Sequence, residues 1–153
     1  MNLLLEKTLL IELYVSTLLY RCKKKLSTSL ISYKVMRQYS WLENDLASVN
    51  RSITPWVVVY GHRPMYCTNA DRDDCTKFET RTRTGLPLTK WWGLEPLLAQ
   101  YGVDLAVWAH EHSYERLLPT YNRKVVPSPD PGAPYNQPRA TVHITTGNVV
   151  PEL

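Results

Sequence analysis

The first 34 residues contain no glycine, proline, aspartate or histidine; Asp45, Pro55, Gly61 and His62 are the first of each kind. That break marks residues 1–34 as a helical leader unlike the remainder, and 35–153 as the body of the protein. Long apolar runs are also missing. Leu3 to Tyr20 is rich in leucine and isoleucine, but Glu6, Lys7 and Glu12 interrupt it. No confident membrane-spanning segment follows from such a pattern. A secretory signal places positive charge before a clean apolar run, whereas here the basic cluster Lys23-Lys24-Lys25 comes after it. Residues 3–20 therefore read as an amphipathic helix, with a signal anchor as the alternative. Strong charge of one sign is missing as well: the net charge is +4 over 153 residues, too mild to indicate a nucleic-acid partner. No internal repeat is visible.

Cysteine is scarce, with three residues: Cys22, Cys67 and Cys75. Cys67 and Cys75 flank a polar loop, and this spacing suits either a disulfide in an oxidising compartment or two free thiols. Cys22 is left over. Asn50-Arg51-Ser52 has the form of an N-glycosylation acceptor.

What is present is a globular composition, 44% hydrophobic and 21% charged, long enough for one domain with a core. The coarse order is helix, strand, long loop, helix, strand, loop, strand. Ser40-Trp41-Leu42-Glu43 has capping-box spacing and opens a helix whose stripe is Leu42, Leu46 and Val49. Trp56–Tyr60 reads as a strand, and about 67–87 as a polar loop. Leu94, Leu97, Leu98 and Tyr101 form a second helical stripe that Gly102 ends. Asp104–Trp108 and Ala140–Thr145 read as strands, separated by an irregular stretch holding Pro127, Pro129, Pro131, Pro134 and Pro138. This alternation implies an α/β layer architecture.

Three of the four histidines stand just past apolar strands: His62 after Trp56–Tyr60, and His110 and His112 after Asp104–Trp108. Ligands in α/β folds gather at the carboxyl ends of strands. Neutral imidazole is a good ligand for zinc, iron and manganese. His62, His110 and His112 are thus candidate metal ligands. His143 lies inside a strand and reads as a core histidine or one that supports a ligand. Glu111 reads as an exposed loop side chain, Tyr114, Glu115 and Arg116 as packing or ion-pairing groups with substrate contact as the alternative, and Arg63 and Arg72 as solvated surface with phosphate attraction as the alternative.

Gly61-His62-Arg63-Pro64-Met65-Tyr66-Cys67 and Ala109-His110-Glu111-His112-Ser113-Tyr114-Glu115-Arg116 resemble the last two metal-binding motifs of the purple acid phosphatases. The first matches Val-x-x-His at Val59–His62, and the second matches Gly-His-x-His with Ala109 in place of glycine. Ala140–Gly147 resembles the strand that follows in that family, and Gln38–Glu43 its preceding helix. The likeness covers about residues 35–148 and is strongest to the animal acid phosphatase type 7 branch. It implies part of a metallophosphoesterase α/β sandwich, a mixed β-sheet flanked by helices. The implied activity is metal-dependent hydrolysis of small phosphomonoesters, in an extracellular or lysosomal setting. His62 and His110 would hold a divalent ion (zinc, manganese or iron), and His112 a ferric ion. The family's earlier Asp-x-Gly, Asp-x-x-Tyr and Gly-Asn-His motifs have no counterpart here. The chain thus reads as truncated, without the bridging carboxylate, the tyrosinate and the asparagine ligand. Three neutral imidazoles offset none of the charge of two cations, so this chain is expected to bind at most one divalent ion, weakly. With no histidine between His62 and His110, no general acid is assignable. The competing expectations are a catalytically dead interaction module and an unstable fragment.

Overall fold

In the computed structural model the described residues are Leu9–Leu10, 28–69 and 74–147. The elements are β1 (Leu9–Leu10), α1 (Thr28–Ala47), β2 (Val58–Gly61), a 3-10 turn (Asp74–Thr76), α2 (Arg81–Thr84), α3 (Leu94–Gln100), β3 (Leu105–Trp108), β4 (Tyr114–Arg116), β5 (Thr120–Tyr121), β6 (Lys124–Val125) and β7 (Val142–Thr146).

The helix expected over 3–20 lies outside the described residues except at Leu9–Leu10. Those two are extended, not helical, and pair in parallel with Val59–Tyr60. Helix α1 also starts well before the expected cap, so Ser40 is interior. No glycine or proline interrupts Thr28 to Ala47, and nothing stops the helix from propagating upstream. Its far end frays as Ser48 N–H donates to the Asn44 and Asp45 carbonyls, each at 3.1 Å.

Five strands form one sheet in the order β1-β2-β3-β7-β4. The first three pairings are parallel and the last is antiparallel, so the sheet is mixed. Registers such as Val59↔Ala106 and Ala106↔His143 align the three central strands. Leu42 and Leu46 of α1, Leu94, Leu97 and Leu98 of α3, and Val59, Ala106 and Trp108 of the sheet share one buried cluster. The helical stripes expected from the sequence thus meet the sheet in a single core. Truncating Leu97 to alanine would cost about 2–5 kcal/mol at such a position.

Helix α3 stops by a Schellman arrangement. Gly102 adopts φ +60°, its N–H donates to Ala99 O at 3.2 Å, and the Val103 N–H donates to Leu98 O at 2.9 Å. Two residues later β3 begins, so the same turn that ends the helix sets the start of the strand. Arg51 reinforces this junction through Asp104 Oδ2 at 2.5 Å, and the Val57 N–H donates to the same oxygen at 2.7 Å.

Candidate metal centre

Because β2 and β3 run in parallel with Gly61 opposite Trp108, their carboxyl ends lie side by side. The residues just beyond both strands therefore leave the sheet at one edge. The Ala109 N–H straddles the Gly61 and His62 carbonyls at 3.2 and 3.1 Å. The Glu111 N–H then donates to Ala109 O at 2.8 Å, closing a tight turn with His110 at its centre and φ +69°. A non-glycine residue held there stores backbone strain of order 1–3 kcal/mol, a cost that surrounding structure must sustain.

The turn aims His110 at His62. His110 Nδ1 lies 2.9 Å from His62 Nε2, and the rings meet edge to face with centroids 4.8 Å apart. His62 is exposed and His110 half-buried. Partial burial lowers the His62 pKa, helped by the neighbouring His110 and Arg63 charges. Neutral imidazole, the ligating form, is thereby favoured. Two nitrogens bound at about 2.1 Å to one tetrahedral ion stand about 3.4 Å apart, so this pair, at 2.9 Å, would open by about half an ångström to share a single cation. His112 is exposed. The structure brings His62 and His110 together.

Glu111 is not the exposed side chain expected of it: it is 2% exposed. Cys67 and Cys75 are joined in a disulfide. Asn69 Nδ2 donates to Glu111 Oε2 at 2.7 Å, and Cys75 Sγ lies 3.3 Å from Glu111 Oε1. Ser113 Oγ donates to Asn69 Oδ1 at 3.2 Å, and Thr68 N–H donates to Glu115. Below the turn, a Cβ on Gly147 would overlap the Glu111 carbonyl, so only glycine allows this approach.

His143 is buried, as its place in β7 suggested. Its Nδ1 accepts from Trp108 Nε1 at 3.1 Å, and the Tyr66 ring stands edge-on at 5.1 Å. Burial pushes its imidazole down to about 4. Tyr114 is exposed, Arg116 lies 5.0 Å over the Tyr135 ring, and Arg63 is half-buried. Arg72 and Cys22 lie outside the described residues. Asn50 is exposed, and its Oδ1 accepts from Ser52 N–H at 3.0 Å.

A buried ion pair in the segment expected as polar loop escaped the sequence reading altogether. Arg83 Nη1 lies 2.7 Å from Glu95 Oε2, and both side chains are almost fully buried. Tyr66 Oη donates to Glu95 Oε1, as does the Asn122 N–H at 2.8 Å. Burial raises the Glu95 carboxyl, and the Asn122 amide lowers it. Arg83 looks like any loop arginine in the sequence; Thr80, which caps α2 through its side chain, is the one local signal of order there.

The fold and this edge define a mixed-sheet α/β protein that presents imidazoles where parallel strands end. The chain belongs to the calcineurin-like phosphoesterase family, whose model matches residues 12–114. It is 55% identical over 116 residues to acid phosphatase type 7 of Homo sapiens, covering 74% of this chain and 26% of that protein. It is 51% identical over 120 residues to the Danio rerio protein of the same name, covering 74% and 27%. It is also 43% identical over 97 residues to probable inactive purple acid phosphatase 9 of Arabidopsis thaliana, covering 63% and 14%. Among solved structures, purple acid phosphatase PPD1 from yellow lupin seeds matches with a TM-score of 0.49 at 25% identity, covering 71% of this chain and 18% of that one. The chain thus spans about a quarter of the length of the animal relatives it matches.

Proposed function

We propose that this chain carries the histidine half of a metal-dependent phosphomonoester hydrolase site. His62 and His110 would hold one divalent cation, zinc, manganese or iron, and His112 would serve a second, ferric ion in a complete centre. The observation that supports this most directly is the 2.9 Å separation of His110 Nδ1 and His62 Nε2 at the carboxyl ends of adjacent parallel strands. A cation there supplies Lewis-acid stabilisation of phosphoryl charge. The chain's own contribution is to present neutral imidazoles from a rigid edge.

The donor set sets the limit. Among the described residues, the one further group of three metal-ligating side chains is Cys67, Cys75 and Glu111, and its sulfurs are taken up by the disulfide. Among the described residues no group of three ligands with a carboxylate includes the histidines, so one weakly held divalent ion is the expected occupancy. The disulfide and the exposed Asn50 acceptor support an extracellular or lysosomal setting, and the division at residues 34/35 is proposed on composition. Calorimetric zinc titration of the purified chain should give at most one ion bound, and His110→Ala should abolish binding. Hydrolysis of a chromogenic phosphomonoester that survives His110→Ala would refute the assignment. A folded wild-type chain without hydrolysis but with zinc binding would restrict it to a binding role.

A further inference from the structure

Glu111 stands between two proposed ligands in sequence, yet its side chain is buried. One carboxylate oxygen accepts from Asn69 Nδ2 at 2.7 Å, and the other lies 3.3 Å from Cys75 Sγ, a disulfide sulfur with no hydrogen to donate. Its backbone closes the turn that puts His110 at φ +69°. On the opposite side the Glu111 carbonyl rests directly against Gly147. Side chain and backbone of one residue thus lock the same turn from two directions. Ser113 and Glu115, the next residues on this face, bond to Asn69 and Thr68 beside the disulfide.

We propose that Glu111 is a positioning residue: by accepting from Asn69, which is anchored beside the Cys67–Cys75 disulfide, it holds the strained turn that aims His110 at His62. The proposal deepens the metal-site reading and rests on it for its ligand, but not for its geometry. The carboxylate acts on the ligands through the backbone, as supporting groups around metal sites commonly do.

The test uses the full chain in five forms: wild type, Glu111→Ala, Glu111→Gln, Asn69→Ala, and Cys67→Ser with Cys75→Ser. Two measurements are made on each, zinc affinity by calorimetry and the ring-nitrogen NMR shifts of His62 and His110 without metal. Glu111→Ala, Asn69→Ala and the double serine variant should each weaken zinc binding about 10-fold. Each should also move the two ring signals away from their hydrogen-bonded positions. Glu111→Gln keeps an acceptor for Asn69 and should stay within about threefold of wild type. Combining Glu111→Ala with the serine pair should cost no more than either alone, since both remove one support. Additive losses, unmoved ring signals in Glu111→Ala, or a glutamine variant as impaired as the alanine one would overturn the proposal. If the wild type binds no zinc, the metal reading fails while the ring signals still decide the positioning role. If the serine pair unfolds, Asn69→Ala, which leaves the disulfide intact, decides it.

Discussion

At the scale of single residues, His143 has the most measurable consequence. Only 3% of it is exposed, and its Nδ1 is committed as an acceptor to Trp108. The folded protein therefore takes up a proton there only near pH 4, against 6.5 for an ordinary histidine. Above pH 6.5 both states leave the ring neutral and it contributes nothing to pH dependence. Between pH 6.5 and 4 the unfolded chain binds a proton that the folded one refuses, so stability falls as pH drops, by about 3 kcal/mol in all. Urea unfolding of wild type and His143→Gln at pH 7.5 and pH 5 checks this: the variant should lose clearly less stability between the two. An equal loss in both would place the proton elsewhere. That His62 and His110 stand just past β2 and β3 was legible at this scale, because a β-branched run that ends at imidazole can be read locally. Glu111 was not. Its partners Asn69 and Cys75 lie 42 and 36 positions away, and no local pattern shows that they will meet it.

At the scale of elements, spacing and stop signals were readable and pairing was not. Leu94, Leu97 and Leu98 are buried as the stripe requires, and Gly102 ends α3 where a left-handed residue was expected. The start of α1 was misplaced, since a capping-box spacing inside a good helix former is only a spacing. Strand β4 is three residues long and exists through its pairing with β7, which its own sequence does not announce. Strands β5 and β6 turn through Asn122 and Arg123, both at positive φ. Arginine in place of the usual glycine hides that turn. The Arg83–Glu95 pair ties α2 to α3. Arg83→Met should destabilise by about 3–5 kcal/mol, because it leaves a buried carboxylate without its cation. Pairing that change with Glu95→Gln should recover much of the loss. Urea denaturation reads both, and a single-variant loss under about 1 kcal/mol would show that water already shares the pair.

For the molecule as a whole, the architectural class followed from the alternation of helical and extended patterns, and the two helical stripes do converge on one core. Strand order was out of reach, because it depends on which edges remain open as the chain returns. Here β7 lies between β3 and β4, although it follows both in sequence. In pulse-labelled refolding, the amides of β4 should acquire protection together with those of β7 and not before; earlier protection of β4 would show that it docks without β7. A nascent chain that has already produced His62, His110 and His112 still has a slot open in its sheet. The strand that fills it, β7 between β3 and β4, begins thirty residues after His112, so the edge of β3 stays open until that stretch has been made.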